Sequence, residues 1–326
     1  MKFGWKLLGA ACCGALAAVR IADCSAQNYP AKPIRFVVPF VPGGSTDIFA
    51  RLIAPGLSER LGQQVVVDNR GGAGGTIGTE LVSRSAPDGY TMLLASANTA
   101  MNVSLYGKIS VDPVKEFTAV ALLASAPNVL VVHPSLRVKT AEDLIALAKA
   151  RPGQINYASG GNGSTPHLAA ELFKTMASVD LVHVPYKGTG PAVVAVLSGE
   201  SSVVFPAAAA VLPHARSGRL RALAICSLAR SEAAPDLPTL SESGVPGYES
   251  AQWYGVLVPA GVPREIVIRL NRELVKTVNA PEMRARLIID ATTVVNDGTP
   301  QRFASYLKTE IAKWEKVVKF SGARVD

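Results

Sequence analysis

A chain of 326 residues that is 48% hydrophobic and 18% charged is long enough to bury one large core or two medium ones. Its formal net charge of +8 is spread over interspersed acids and bases, with no Lys/Arg-rich block and 6% aromatic residues. That balance excludes the footprint of a nucleic-acid binder and suits anionic small molecules or plain solubility.

Lys2 and Lys6 precede an apolar run over residues 7–19 that is too short to span a bilayer comfortably, and Cys24-Ser25-Ala26 offers small residues before a cut. Residues 1–26 therefore read as a secretory signal peptide, with the mature chain starting near Gln27. Gly9, three positions before Cys12, speaks against a lipid anchor. Of the four cysteines, only Cys226 stays in the mature chain, between apolar neighbours, so it is expected to be buried and inert. No disulfide, Cys/His metal site or cofactor is expected, and no later apolar run reaches membrane length, so stable membrane insertion is not expected either.

Strands and helices then alternate. A strand over residues 34–38 runs into Pro39-Phe40-Val41-Pro42-Gly43-Gly44-Ser45-Thr46-Asp47 and a helix, which Pro55 is expected to kink. A second strand, 64–69, leads to a glycine-rich turn that includes Gly74 and Gly75 and then a short helix through Leu81-Val82, and a third strand, 90–95, ends at Ser96. Strands over 120–123 and 128–132 flank Pro127. Helix 140–150, strand 154–158, the turn 159–166 and a helix from His167 follow. Strand 181–184 leads to Tyr186-Lys187-Gly188-Thr189-Gly190-Pro191 and another helix. Strand 203–205, a helix near Val211–Ser217, strands 220–225 and 253–258 and two closing helices from Pro263 and Pro300 complete the pattern.

Such alternation predicts an α/β chain with two mostly parallel sheets flanked by helices, two lobes joined by a hinge. The pattern restarts near Pro127 and changes after Trp253. One lobe is therefore expected to take residues 27–126 plus 254–326, and the other residues 127–253.

Four strand-to-helix turns carry the chemistry. In the first, Gly43 and Gly44 let the backbone approach a guest, Ser45 or Thr46 offers an N-cap hydroxyl, and the first amides of the helix favour an anion. The plain alternative is a turn whose hydroxyl only caps its own helix. Ser159, Asn162, Gly163 and Ser164 repeat the plan, as do Lys187 and Thr189, with Thr189 or Gly190 as cap; Ser96, Gly74 and Gly75 stand at further strand ends. In open α/β sheets, ligands sit beyond the carboxyl ends of strands, where such turns gather. Lys187 is either the cation of the site or a solvated loop lysine. His167 either touches the ligand or packs in the core. Asp47 is expected to orient its own turn, because a carboxylate aimed at the pocket would repel an anion. No dinucleotide fingerprint, phosphate loop or nucleophile elbow is present, and none of the four histidines has a partner at metal spacing.

These turns, in this order, resemble the Bug family, the periplasmic solute receptors of tripartite tricarboxylate transporters. The likeness rests on Pro42-Gly43-Gly44 with Asp47, Asp68-Asn69-Arg70 with Gly72 to Gly78, Pro87-Asp88-Gly89-Tyr90, Ser159 to Ser164 with His167-Leu168-Ala169, Val184-Pro185-Tyr186-Lys187-Gly188, and Pro259-Ala260-Gly261-Val262-Pro263. It implies a monomeric periplasmic receptor, not an enzyme, that closes on a small carboxylate held largely by backbone N–H groups, hydroxyls and bridging waters, and that hands it to membrane subunits of a transporter. Where the family often has Asp after Phe205, this chain has Pro206 and a run of alanines, which implies a more apolar wall suited to an aromatic or aliphatic carboxylate. Two rival readings are a secreted hydrolase or isomerase using His167 or His183 with a nearby Ser, and a receptor that feeds a sensor rather than transport.

Overall fold

In the computed structural model, residues 29–106, 110–289 and 291–323 are described; the signal peptide predicted over residues 1–26 lies outside them. The chain opens with β1 (Ile34–Val38), α1 (Ser45–Leu61), β2 (Val65–Asn69), a single 3-10 turn (Ala73–Gly75), α2 (Thr76–Ser83), β3 (Thr91–Ser96) and α3 (Ala97–Leu105). The middle comprises β4 (Phe117–Pro127), β5 (Val129–Val132), α4 (Ala141–Ala150), β6 (Asn156–Ser159), α5 (Thr165–Ala177), β7 (Val182–Pro185), α6 (Thr189–Leu197), β8 (Val203–Val204), α7 (Ala208–Arg216) and β9 (Arg221–Ile225). It ends with β10 (Ala251–Pro259), α8 (Arg264–Asn279), α9 (Pro281–Ile289), β11 (Thr293–Val294) and α10 (Pro300–Ser321).

Two sheets result, in the orders β11-β4-β10-β3-β1-β2 and β7-β6-β8-β5-β9, each flanked by helices as a lobe. The expectation of mostly parallel sheets is corrected here: both are mixed. β1 is parallel to β2 and β3, but β10 runs against β3 and β4; β6 is parallel to β7 and β8, but β5 runs against β8 and β9. The reason is topological. β5 and β10 are the strands that bring the chain in from the opposite sheet, so each begins where its neighbours end.

The chain passes from the first sheet to the second at Asn128 and returns between β9 and β10. The two crossings lie side by side: Ala251 is the register partner of Pro127, Asn128 N–H donates to Ser250 O (3.1 Å), and Asn128 Nδ2 donates to Ser250 Oγ (3.1 Å).

Three elements were not predicted: α3, α9 and β11. α3 starts without the Glu or Gln that marks a capping box; the Thr99 hydroxyl takes that place and accepts from Ser96 N–H at 3.2 Å. At α1, Pro55 sits within a continuous helix of 17 residues.

The largest apolar cluster spans both lobes, joining Leu93 and Met101 to Leu168, Phe173 and Phe205, and on to Trp253, Phe303 and Trp314. α10 carries the bridge, packing against α3 and β4 in one lobe and α5 in the other. Within it Glu310, 2% exposed, accepts from the indole N–H groups of Trp253 (3.1 Å) and Trp314 (3.0 Å) and pairs with Lys313. A second cluster lies under α1 and α8 (Phe36, Phe49, Ile53, Leu270), and a third under α6 and α7 (Val131, Val196, Val211).

Candidate functional site

Because β5 and β10 enter from the crossings, the carboxyl ends of β1, β2, β3, β6, β7 and β8 all point to the crossing side. Ser96 at the end of β3 pairs with Tyr254 near the start of β10, and Val129 at the start of β5 donates to Pro206 O just past β8 (2.9 Å). The turns singled out in the sequence are thus gathered at one edge of each sheet.

The turn after β1 differs from expectation at its cap. Gly44, with φ −78° and ψ 166°, is the N-cap of α1, and neither the Ser45 nor the Thr46 hydroxyl caps the helix. They are its first two residues, Ser45 exposed and Thr46 buried. The first intrahelical bond is Ile48 N–H to Gly44 O (2.9 Å), and among the described residues no acceptor takes the amides of Ser45, Thr46 or Asp47. Asp47 ties down its own turn. Its carboxylate accepts from Gly43 N–H (2.8 Å), Arg51 Nε (2.9 Å) and Asn69 Nδ2 (3.0 Å), and Asn69 Nδ2 also donates to Phe40 O (3.1 Å). Burial alone would raise the Asp47 carboxyl; the hydrogen bonds from Arg51, Gly43 and Asn69 and the Arg51 charge outweigh it and hold the group below the usual carboxylate range. With Arg51 neutralised in this way, and Arg35 and Arg70 both paired to Asp68, the helix amides are the positive feature left open at this turn.

Gly74 and Gly75 (φ +62° and +101°) form the wall beside it. A Cβ at Gly75 would meet the Phe40 ring and Pro39 O at 3.3 Å, so this turn buttresses the first. Gly74 O accepts from Asn102 Nδ2 at 2.9 Å. Ser96 is fully buried at the head of α3, and among the described residues its Oγ finds no hydrogen-bond partner.

In the other lobe two turns pack together: a Cβ at Gly160 would lie 2.9 Å from Thr189 N, and Tyr186 N–H donates to Ser159 O (2.9 Å). Ser164 caps α5 through its hydroxyl, Asn162 is exposed, and Gly163 is buried. Gly188, not Thr189 or Gly190, is the N-cap of α6, and Thr189 is its first residue. Lys187 is exposed, with no ion pair among the described residues. Pro206 is buried at the first crossing, and α7 starts behind Ala207 with no side-chain cap.

Beneath the Ser159 turn three rings stack: Tyr157 on His183 (centroids 4.9 Å) and His183 on His167 (4.1 Å). Ser159 Oγ meets His183 Nε2 at 2.6 Å and accepts from Gly161 N–H (3.1 Å), and His167 Nδ1 accepts from Gly163 N–H (3.1 Å). Burial first, then the His183 and Lys174 charges, hold the His167 imidazole down at about 3. Burial likewise lowers His183, with Glu171 opposing and Lys174 adding to it. Sequence spacing could not reveal this pair, because His183 reaches the group through its register with Tyr157 across two strands. Ser159, fully buried and held by Gly161 and His183, is not presented as a nucleophile.

The family profile described as "Tripartite tricarboxylate transporter family receptor" (TctC) matches residues 49–322. Protein BugT of Bordetella pertussis (strain Tohama I) is 40% identical over 306 residues, covering 93% of this chain and 94% of BugT. A solved R. palustris protein with adipate is 38% identical with a TM-score of 0.80, covering 91% of this chain and all of that one. MatC of Rhodopseudomonas palustris, solved with bound malate, is 32% identical with a TM-score of 0.77, over 89% of this chain and all of MatC. A family match over most of the length, relatives at this identity and a two-lobed fold with its turns gathered at the crossings converge: the chain belongs to the TctC family of tripartite tricarboxylate transporter receptors.

Proposed function

We propose that the protein is a periplasmic receptor that seats the carboxylate of a small organic acid on the first turn of α1 and closes the second lobe over it. The observation that carries the reading is the set of unpartnered amides at Ser45, Thr46 and Asp47, presented by Gly43 and Gly44 at a strand's carboxyl end. Ser96, Gly74 and Gly75 complete the first-lobe side. Ser159, Asn162, Gly163, Ser164, Lys187 and Thr189 form the second. The relatives solved with adipate and malate support an acid as the guest. Each hydrogen bond to a charged group contributes about 1.5–3 kcal/mol, so a few of them support micromolar binding, about −8 kcal/mol. Pro206 and the alanines after it give the second lobe an apolar wall that fits an aliphatic or aromatic body. The protein acts as a monomer, without catalysis, and delivers its solute to membrane subunits of a transporter.

Ser45→Pro tests the seat. Proline is at home at the first position of a helix, and Gly44 is already in the extended conformation that precedes proline, so the variant removes one outward amide while leaving the fold intact. After a thermal-shift screen with hexanoate, benzoate, succinate and adipate, calorimetry with the best acid is expected to show at least about tenfold weaker binding by Ser45→Pro, about 1.4 kcal/mol, with an unchanged thermal midpoint. Undiminished affinity would remove this turn from the site.

A further inference from the structure

We propose that His167 and His183 are positioning residues: two stacked imidazoles that fasten both ends of the Ser159–Ser164 turn and so set the second-lobe half of the binding site. The affinity arm of this proposal rests on the carboxylate reading above; the geometry does not.

Sequence periodicity brings the parts to one place. Tyr157 and Ser159, two apart on β6, face the same side of the sheet, and His183 stands opposite Tyr157 in parallel register. α5 lies over that side and contributes His167, Glu171 and Lys174 at helical spacing. One imidazole then serves each end of the turn. His183 Nε2 holds Ser159 Oγ, which in turn accepts from Gly161 N–H, and His167 Nδ1 accepts from Gly163 N–H. Gly161 and Gly163 have φ of +105° and +73°. Glycine reaches such values at no steric cost but is equally free to leave them, so the turn keeps its shape only where something ties its amides.

The tie at Gly163 depends on protonation. An imidazole nitrogen accepts a hydrogen bond only while it is unprotonated, which places the proton of His167 on Nε2. The charged and titratable groups facing the stack are Tyr157 from β6, His183 from β7, and Glu171 and Lys174 from α5. Glu171 is engaged by Tyr157 Oη (2.6 Å) and Lys174 Nζ (2.9 Å), so the charge with which it favours a protonated His183 is partly compensated, and Lys174 acts on both rings in the opposite sense. Two imidazolium ions at a centroid separation of 4.1 Å would repel, so protonating either ring opposes protonating the other.

The test uses three readouts on the mature chain. Ring nitrogen shifts of His167 in the unaltered protein are expected to show the Nε2–H tautomer at pH 7 and still at pH 5, where an ordinary histidine is charged. Amide exchange at Gly163 in the ligand-free protein is expected to accelerate at least about tenfold in His167→Phe, which keeps a flat ring but loses the acceptor, and to stay within about threefold of the original in His167→Asn, whose carbonyl oxygen stands where Nδ1 stood. Calorimetry with the best acid of the panel is expected to follow the same order, His167→Phe at least about tenfold weaker and His167→Asn largely restored. A His167 that titrates near pH 6.5, or a Gly163 amide indifferent to both variants, would overturn the proposal. If no acid of the panel binds, the carboxylate reading fails, while the tautomer and exchange results still decide the role of the two histidines.

Discussion

Glu310→Ala is expected to destabilise the protein by about 3–5 kcal/mol, the range for breaking a buried charged network by removing one partner. The carboxylate receives the indole N–H groups of Trp253 and Trp314 at 3.1 and 3.0 Å and the ammonium of Lys313, and it is 2% exposed. Alanine strands all of these donors and opens a cavity between two of the largest buried side chains. Trp253 lies near the start of the first sheet's return strand and Trp314 lies on α10, the helix that touches both lobes, so the damage falls on the core the lobes share. Urea unfolding at pH 7 measures the loss. Glu310→Gln, which keeps a carbonyl oxygen for one indole, is expected to lose about half as much or less. A loss below about 1 kcal/mol for Glu310→Ala would mean that the indoles find other acceptors and that this network is not what joins the core.

Lowering the pH from 6.5 to 4.5 is expected to cost about 2–3 kcal/mol of stability through His167, at about 1.4 kcal/mol for each unit over which only the unfolded chain takes up the proton. In the folded protein this imidazole is held down at about 3, whereas in the unfolded chain it takes up a proton near 6.5. Across that window the unfolded state binds more protons, so stability falls with pH and the fall ends near pH 3. His183 is shifted in the same direction and adds to it. Asp47 and Asp68 are lowered, so their contributions are present above about pH 4 and are lost only below it. Asp112 and Asp143 behave likewise, and Glu242, lowered from an ordinary value of 4.5, begins to contribute only at the acid end, so most of the slope between pH 6.5 and 4.5 belongs to the histidines. Urea midpoints at pH 7, 5.5 and 4.5 check this, and His167→Asn is expected to flatten the curve by the His167 share.

Much of this architecture was legible in the residues themselves. The β-branched runs over 34–38, 65–69 and 129–132 and the turns that follow β1, β2, β6 and β7 announce both strands and the places where ligand-facing backbone gathers. Direction was not legible, because a run such as Val129–Val132 is equally apolar read either way; only its entry from the other sheet makes it run against β8 and β9. The caps were misread for a similar reason. Ser45 and Thr189 have the residue types of N-caps, but the glycines before them take the cap position, Gly44 in the extended conformation and Gly188 at a positive φ of 111° that only glycine adopts readily, and this frees both side chains from that duty. The place of His183 was not legible because its partners, Ser159 and His167, come from a neighbouring strand and a helix, and no spacing along the chain encodes that meeting.

The adjacency of Pro127 and Ala251 also bears on how such a molecule can be built and rebuilt. With the leaving and returning strands already register partners, a short turn across that gap would convert β4 and β10 into an ordinary hairpin and leave the first sheet uninterrupted. The second sheet is, in this sense, a segment spliced into the tip of a hairpin. What prevents the excision from being silent is α10, which packs against α5 of the second lobe and would lose that cover from the apolar cluster the two lobes share.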